Sequence, residues 1–346
     1  MPTTSVTVSD ELLSSTLLSI LDNKKNQDEY RLGFLEAHRE AHGDGGQKYS
    51  FGPKIIIPFD SGEHSRTTVL SSGYEPVAMN VDPIGDVGQD SPIDCIRPIV
   101  ISGHEKRQNQ SDRGKIIDIL ARRTKQMMFG FKREFHRRIL GNSLTTPLTD
   151  LNTLNGIDES DGVFQNAAVG SQTNTIHGIS RGGSYQSVPG MQHQYSTMSG
   201  SFSSNGLPGI ANMLAAIEGI GGGGNVQIVA SVQFAENIRR SLSAREQYVN
   251  GEKSGGEKPV LMYRGYKLRP TRDMNSSTTT GAHAISAYVL DFDHIHLLVQ
   301  EWFRPGAFVS QFPGGYDTSA APVHLMAQLV AKSFGTSGII INGDAW

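Results

Sequence analysis

Leu154-Asn155-Gly156-Ile157-Asp158, then Thr175-Ile176-His177-Gly178-Ile179-Ser180-Arg181, then Gln194-Tyr195 punctuate the stretch from Leu151 to Glu218, the part of the chain most informative about its architecture. Two helices of opposite character bracket it. On the amino-terminal side stands DRGKIIDILARRTKQMMFGFKREFHRRIL (residues 112–140), where Ile116, Leu120, Met127, Phe131, Phe135 and Ile139 recur at helical spacing. Asp112 suits an N-cap and Gly141 a stop, with Gly141-Asn142 closing the helix. At 1.5 Å per residue it would be about 43 Å long. On the other side, Gly206-Leu207 opens a short apolar helix over 207–218, with Leu207, Ile210, Leu214 and Ile217 inward. Between them, residues 143–206 are rich in Gly, Ser, Thr, Asn and Gln and lack sustained periodicity. A loop that long is unusual in a compact domain, so the segment reads either as functional or as a set of short strands.

Working outward, residues 9–41 read as helix, with Ser9 as cap and Asp10 and Glu11 in the first turn. Leu12, Leu13, Leu17, Ile20 and Leu21 form one stripe, and Tyr30, Phe34 and Leu35 a second, before Gly43-Asp44-Gly45-Gly46 ends it. Such pieces are too short to persist alone in water and need a partner surface. Residues 48–105 read as strands and loops broken by Pro53, Pro58, Pro76, Pro83, Pro92 and Pro98. Lys54 to Phe59 is an apolar run onto which Thr67 to Leu70 would fold back, as in a long hairpin standing away from a core. Beyond 218, the pattern predicts strands over 226–230, 262–270, 287–292, 296–299 and 323–332, a helix over 234–242, and Gly338 to Asn342 extending or returning from the last strand. Ala244–Lys258 and Asn275–Gly281 read as polar loops.

Composition agrees with an extended molecule. The 346 residues are 37% hydrophobic and include 39 Gly and 15 Pro, and mean hydropathy is negative. A chain so rich in turns buries little by itself and gains stability from neighbours. The single cysteine, Cys95, excludes an intramolecular disulfide framework and a cysteine-rich zinc site. No signal peptide and no run of about 20 apolar residues is visible, which predicts a soluble protein made in a reducing compartment. The net charge of -3 argues against a dedicated nucleic-acid binder. Yet Arg113, Lys115, Arg122, Arg123, Lys125, Lys132, Arg133, Arg137 and Arg138 crowd one helix, opposed only by Asp118 and Glu134. Such a face is either simply solvated or contacts phosphates without reading sequence.

Other motifs are weak in context. Gly178-Ile179-Ser180-Arg181-Gly182 matches the nucleophile elbow, but that motif needs a helix after the serine, and Gly182-Gly183-Ser184 and Pro189-Gly190 follow instead. Gly219-Ile220-Gly221-Gly222-Gly223-Gly224 matches G-x-G-x-x-G, but the order here is helix, glycines, strand, the reverse of a dinucleotide site. His294 and His296 would share a strand face and could begin a metal site, with no third ligand nearby. Asn275-Ser276-Ser277 is a glycosylation sequon by pattern only.

The order of these features resembles the major capsid proteins of tailed bacteriophages, which share the Hong Kong 97-like fold. The residues that carry the resemblance are Ile99-Val100-Ile101-Ser102-Gly103-His104-Glu105, Asn109, the helix from Gly114-Lys115-Ile116-Ile117, the Leu154-Asn155-Gly156-Ile157 turn, Ile176-His177-Gly178-Ile179-Ser180-Arg181, Tyr263-Arg264-Gly265-Tyr266, Asp291-Phe292 and Gln328-Leu329-Val330. The resemblance covers about residues 48–340 and implies an α+β chain. It implies an N-terminal arm (1–46), an extended hairpin or E-loop (47–80), a peripheral domain (81–205 and 285–346) with spine helix 112–140, and an axial domain (206–284) whose two polar loops meet at symmetry axes. It further implies no enzyme, no cofactor and no metal. The implied function is self-assembly, through hexamers and pentamers, into the icosahedral shell enclosing the double-stranded DNA of a tailed phage. The shell would assemble in the host cytoplasm, with scaffold, portal and decoration proteins as further partners and no membrane. Arg122, Arg123, Lys125, Lys132, Arg133, Arg137 and Arg138 would then be candidates to face packaged DNA. An encapsulin-type compartment shell is the alternative on the same fold; a hydrolase built on Ser180 and a decoration or tail protein are readings from other classes.

Overall fold

The computed structural model describes residues 32–43, 47–48, 54–60, 85–108, 113–141, 153–155, 162–165, 167–198, 202–242, 261–274, 285–305, 309–311 and 318–342. In chain order its main elements are α1 (Gly33–His42), β1 (Gln47–Lys48), β2 (Ile55–Asp60), β3 (Gly85–Asp90), β4 (Ile93–Ser102), α2 (Gly103–Gln108) and α3 (Arg113–Ile139). The short strands β5 (Thr153–Asn155), β6 (Gly162–Phe164), β7 (Thr175–Ile176), β8 (Ile179–Ser180) and β9 (Gln194–Thr197) follow, and resolve the aperiodic middle in favour of a set of strands. Then come α4 (Phe202–Gly219), β10 (Val226–Ser231), α5 (Val232–Ser241), β11 (Leu261–Tyr263), β12 (Tyr266–Thr271), β13 (Ile285–Asp291), β14 (Ile295–Pro305), β15 (Val309–Gln311), β16 (Thr318–Ala331) and β17 (Gly338–Ile341).

α3 is the long spine helix. Leu120, Thr124, Met128, Phe131, Phe135 and Ile139 are buried along one stripe, three or four apart, with His136 buried beside them. Met128 takes the inward place expected of Met127, which is only half-buried. The helix stops where Gly141 adopts φ 70 and gives its N–H to Arg138 O (2.9 Å). Residues 103–105, expected within a stretch of strands and loops, open a helix that runs to Gln108, for a local reason. Ser102 Oγ accepts the Glu105 N–H (3.3 Å) and Glu105 Oε2 accepts the Ser102 N–H (3.2 Å), a capping box on Ser102-Gly103-His104-Glu105.

Two sheets carry the rest. In the first, β16 pairs antiparallel with β14 and β15 along one edge and with β4 along the other, from Ile93↔Ala327 to Ser102↔Thr318; β1 adds parallel to β14. The second runs β11-β12-β10-β13-β17-β9. Its apolar residues are sorted by parity: Ile228, Ala230, Ala287, Val289 and Ile340 pack beneath α4 and α5, whereas Val229, Tyr288, Leu290, Ile339 and Ile341 belong to the core shared with α3 and the first sheet. Tyr288 even donates its hydroxyl to Leu140 O at the end of the spine (3.2 Å). The expected boundaries at 206 and 284 therefore cut through one hydrogen-bonded sheet, because β13 pairs with β10, β17 with β13 and β9 with β17, all three from outside that span.

Three expectations need correction. β2 pairs with β3, from Ile55↔Asp90 to Asp60↔Gly85, so the hairpin root extends to residue 90; Thr67 to Leu70 lies outside the described residues. The register holds because Ile55, Ile57 and Phe59 face inward and Gly88 leaves room; a Cβ there would lie 2.8 Å from Phe59 and 2.9 Å from His177. α4 begins at Phe202, a turn earlier than expected, since Phe202 is buried and lies over Gly206, where a Cβ would come within 2.6 Å of its ring. The strand expected over 262–270 is a hairpin, turned by Arg264 (φ 51) and Gly265 (φ 87), the two positive φ values that a tight two-residue hairpin turn requires. The expected N-terminal stripe before residue 32, Asp112, Asn142, and the loops 244–258 and 275–281 lie outside the described residues.

Candidate assembly surfaces and the basic helix

The basic face of α3 divides. Arg122 and Lys125 are exposed. Arg123 is drawn inward, donating to Val100 O (2.8 Å) and pairing with Glu105. Arg138 pairs with Glu134 one turn back (3.1 Å), and Lys132 is half-buried. Arg133 and Arg137 both donate Nε to Asp273 Oδ1 (3.3 and 3.1 Å), while His136 Nδ1 donates to Asp273 Oδ2 (3.0 Å). Burial pushes the Asp273 carboxyl up, but His136, Arg137 and Arg133 together outweigh it and hold the group below the usual carboxylate range. The seven residues expected to form one basic face thus include four whose guanidinium groups are engaged within the chain. The partner Asp273 follows β12, far away in sequence, and nothing local announces it.

The Gly178–Arg181 motif is structural in geometry. His177 (φ 55) and Gly178 (φ 78) turn the β7–β8 hairpin, and the sequence signal is a His-Gly pair between Ile176 and Ile179. His177 Nδ1 donates to the Asp90 carboxylate, its Nε2 accepts the Ala331 N–H (3.1 Å), its carbonyl accepts the Gln89 N–H (2.9 Å), and its ring stacks on Phe59. One side chain thereby ties the hairpin root to the first sheet.

Arg181 is fully buried. It donates to Asn174 Oδ1 (2.8 Å from Nε), Val163 O (2.8 Å) and His193 Nδ1 (3.2 Å), and lies over the Phe334 ring (4.8 Å). Among the described residues its partners are neutral, and burial lowers its pKa to about 9. His193, buried beside that cation, is held well below its ordinary value, so it stays neutral and gives its Nε2 proton to Gln165 O (2.9 Å). A cation with five donors and only neutral acceptors fixes β6, β8 and β9 in one geometry.

The other sequence candidates fall apart spatially. Ser180 is exposed on β8; its hydroxyl accepts the Gly182 N–H (3.4 Å), and a short 3-10 helix, Gly183–Ser187, follows rather than an α-helix. The glycines of 219–224 join α4 to β10 in the order helix, turn, strand. His294 lies in a turn and His296 on β14, so they do not share a strand face; His296 instead meets His42 (Nδ1 to Nε2, 3.3 Å). Among the described residues no group of three or more His, Cys, Asp or Glu could hold a metal ion, and no helix is long and apolar enough to cross a membrane.

What the surface does offer is apolar. Ile56 (59% exposed) and Val87 (52%) lie on the outer face of the β2–β3 hairpin. Ile96 (56%) and Val100 (44%) lie on the outer face of β4, two of several positions on that face, with Ala320, Pro322 and Met326 half-buried on β16 beside them. Branched aliphatics at this exposure, on two separate elements, are sequence-visible only as period-2 strands, and nothing in that period tells which face remains open.

No family profile and no curated protein matches the sequence. Solved structures do. The chain is similar to the capsid of cyanophage A-1(L) over 94% of this chain and 95% of that chain, at 13% identity and a TM-score of 0.59. It is similar to the capsid of the native GTA particle over 89% and 90%, at 12% identity and 0.53. It is also similar to a structure of Mycobacterium phage Ogopogo over 92% and 93%, at 11% identity and 0.52. Spine helix, hairpin root, two sheets and the His177–Gly178 turn with its buried Arg181, taken with these likenesses over about nine-tenths of the chain, show that the chain has the α+β Hong Kong 97-like fold of tailed-phage capsid proteins.

Proposed function

We propose that this protein is a major capsid protein that self-assembles, through hexamers and pentamers, into an icosahedral shell around the double-stranded DNA of a tailed phage. The observation that carries the reading is the likeness to capsid chains over nine-tenths or more of both partners in the cyanophage case. The work of such a chain is contact rather than catalysis. The exposed aliphatic faces of the β2–β3 hairpin and β4 are the surfaces that neighbouring copies would cover, since apolar area left open on one subunit is buried by closed symmetric association. Arg122 and Lys125 are the spine residues best placed to meet packaged DNA. Arg133 and Arg137 act inside the chain on Asp273, and reversing their charge would test folding rather than packaging. Scaffold, portal and decoration proteins are further partners of this reading, and the virion is its location.

Electron microscopy of the protein expressed alone and together with its gene neighbours tests the proposal. Closed shells or capsomer rings are expected, with nuclease-protected DNA inside the co-expressed particles. Shells enclosing an enzyme in place of DNA would move the reading to a protein compartment. A stable, dispersed monomer in both samples would overturn it.

A further inference from the structure

Phe34, His38 and His42 stand four residues apart on α1 and form one continuous ladder of rings with its docking site. Ring centroids are 6.1 Å apart for Phe34–His38, 4.8 Å for His38–His42, 5.0 Å for His42–His296 and 6.0 Å for His38–Phe292. The hydrogen bonds fix which nitrogens carry protons. His38 Nε2 accepts the Leu297 N–H (2.9 Å), and His136 Nε2 on α3 accepts the Phe34 N–H (3.2 Å). His42 Nε2 donates to Phe292 O (2.7 Å) and stands 3.3 Å from His296 Nδ1. The His38 nitrogen must thus be unprotonated for α1 to sit where it does, since a proton on it would oppose an N–H to the Leu297 N–H.

We infer that α1 is a pH-released latch: the neutral imidazoles of His38 and His296 hold it on the β13–β14 turn and on β14, and acidification undocks it. On α1, Glu40 pairs with Lys267 and Arg269, Glu36 pairs with Arg269 (3.7 Å), and Arg39 lies on the exposed side. Asp273 faces His136, Arg133 and Arg137; Asp291, Asp293 and His294 lie in the turn, and Lys332 beyond it. Burial raises Glu40, but Lys267 and Arg269 outweigh it, so that Glu40, like Asp273, stays ionised at mildly acid pH and does not drive the release. Burial raises Asp291, so the Asp291→Asn variant serves as its control.

The histidines point the other way. Burial, then His42 and His296, lower His38 to about 3. Burial, then Lys332, His42 and His294, lower His296 to about 4. A histidine whose docked value lies below its free value stabilises the docked state fully above the free value, and that stability drains away as pH falls beneath it.

Hydrogen exchange of the full chain, with rates corrected for intrinsic pH dependence, tests the latch. Between about pH 7 and about pH 5, protection of residues 33–42 should fall on the order of 100-fold or more, since two such groups each change the docked population by up to about tenfold per pH unit. Protection of residues 210–217 in α4 should hold. The double variant His38→Gln with His296→Gln, in which an amide oxygen keeps the His38 acceptor role and neither side chain can take a charge, should flatten the response, and Asp291→Asn should not. An equal response in both segments, or no fall in 33–42, would overturn the inference. So would a double variant with the full wild-type pH dependence; should that variant not fold, the wild-type profile decides.

Discussion

The six-stranded sheet and the β2–β3 hairpin are built from the same kind of residue and end in opposite states. In the sheet, β10 reads Val226, Gln227, Ile228, Val229, Ala230, an almost unbroken apolar run, and both faces are covered. In the hairpin, Ile55, Ile57 and Phe59 are buried while Ile56 and Val87, on the other face, are open to solvent. One region is covered within the chain. The other keeps an apolar face open, and under the proposed function that face is where a neighbouring copy would lie.

Substitutions can break this contrast, and the largest effect belongs to the covered region. Ile228→Ala would open a cavity between the sheet and α4 and α5, and should cost about 2–5 kcal/mol of chain stability, read from denaturant unfolding of the unassembled protein. A cost well below that would mean the sheet is less closely packed than its burial implies. At the hairpin the same type of change should do the reverse. Ile56→Ser combined with Val87→Ser should alter unfolding of the free chain by only about 0.5 kcal/mol each or less, yet sharply reduce the yield of particles seen by electron microscopy. Normal particles from that variant would remove the hairpin from the list of assembly surfaces.

The smallest expected effect concerns the exposed part of the spine. Arg122→Glu with Lys125→Glu should leave the free chain's stability within about 0.5 kcal/mol of wild type, since neither residue lies in the Asp273 cluster. DNA-filled particles should melt at a lower temperature than wild type, and more so at low salt, where phosphate contacts are strongest. Filled particles with unchanged melting at every salt concentration would leave these two charges as a solvated face and nothing more.

Much of this was legible in the order of residues. The spine helix is a matter of local periodicity ended by a glycine, so Leu120, Phe131, Phe135 and Ile139 could be placed inward without any knowledge of what they touch. The same holds for the apolar faces of α4 and α5 and for the existence of most strands. Local chemistry that went unread was nevertheless present: the Ser102–Glu105 capping box, the His177-Gly178 turn and the Arg264-Gly265 turn are each written in two to four adjacent residues. What tertiary structure alone decided are the pairings between distant segments. These are β2 with β3, β9, β13 and β17 gathered in one sheet with β10, Asp273 brought under Arg133, His136 and Arg137, and His296 brought to His38 and His42. The physical reason is that periodicity reports only which face of an element is apolar. Which surface receives that face, and which charges lose their solvent there, depends on packing summed over the whole chain.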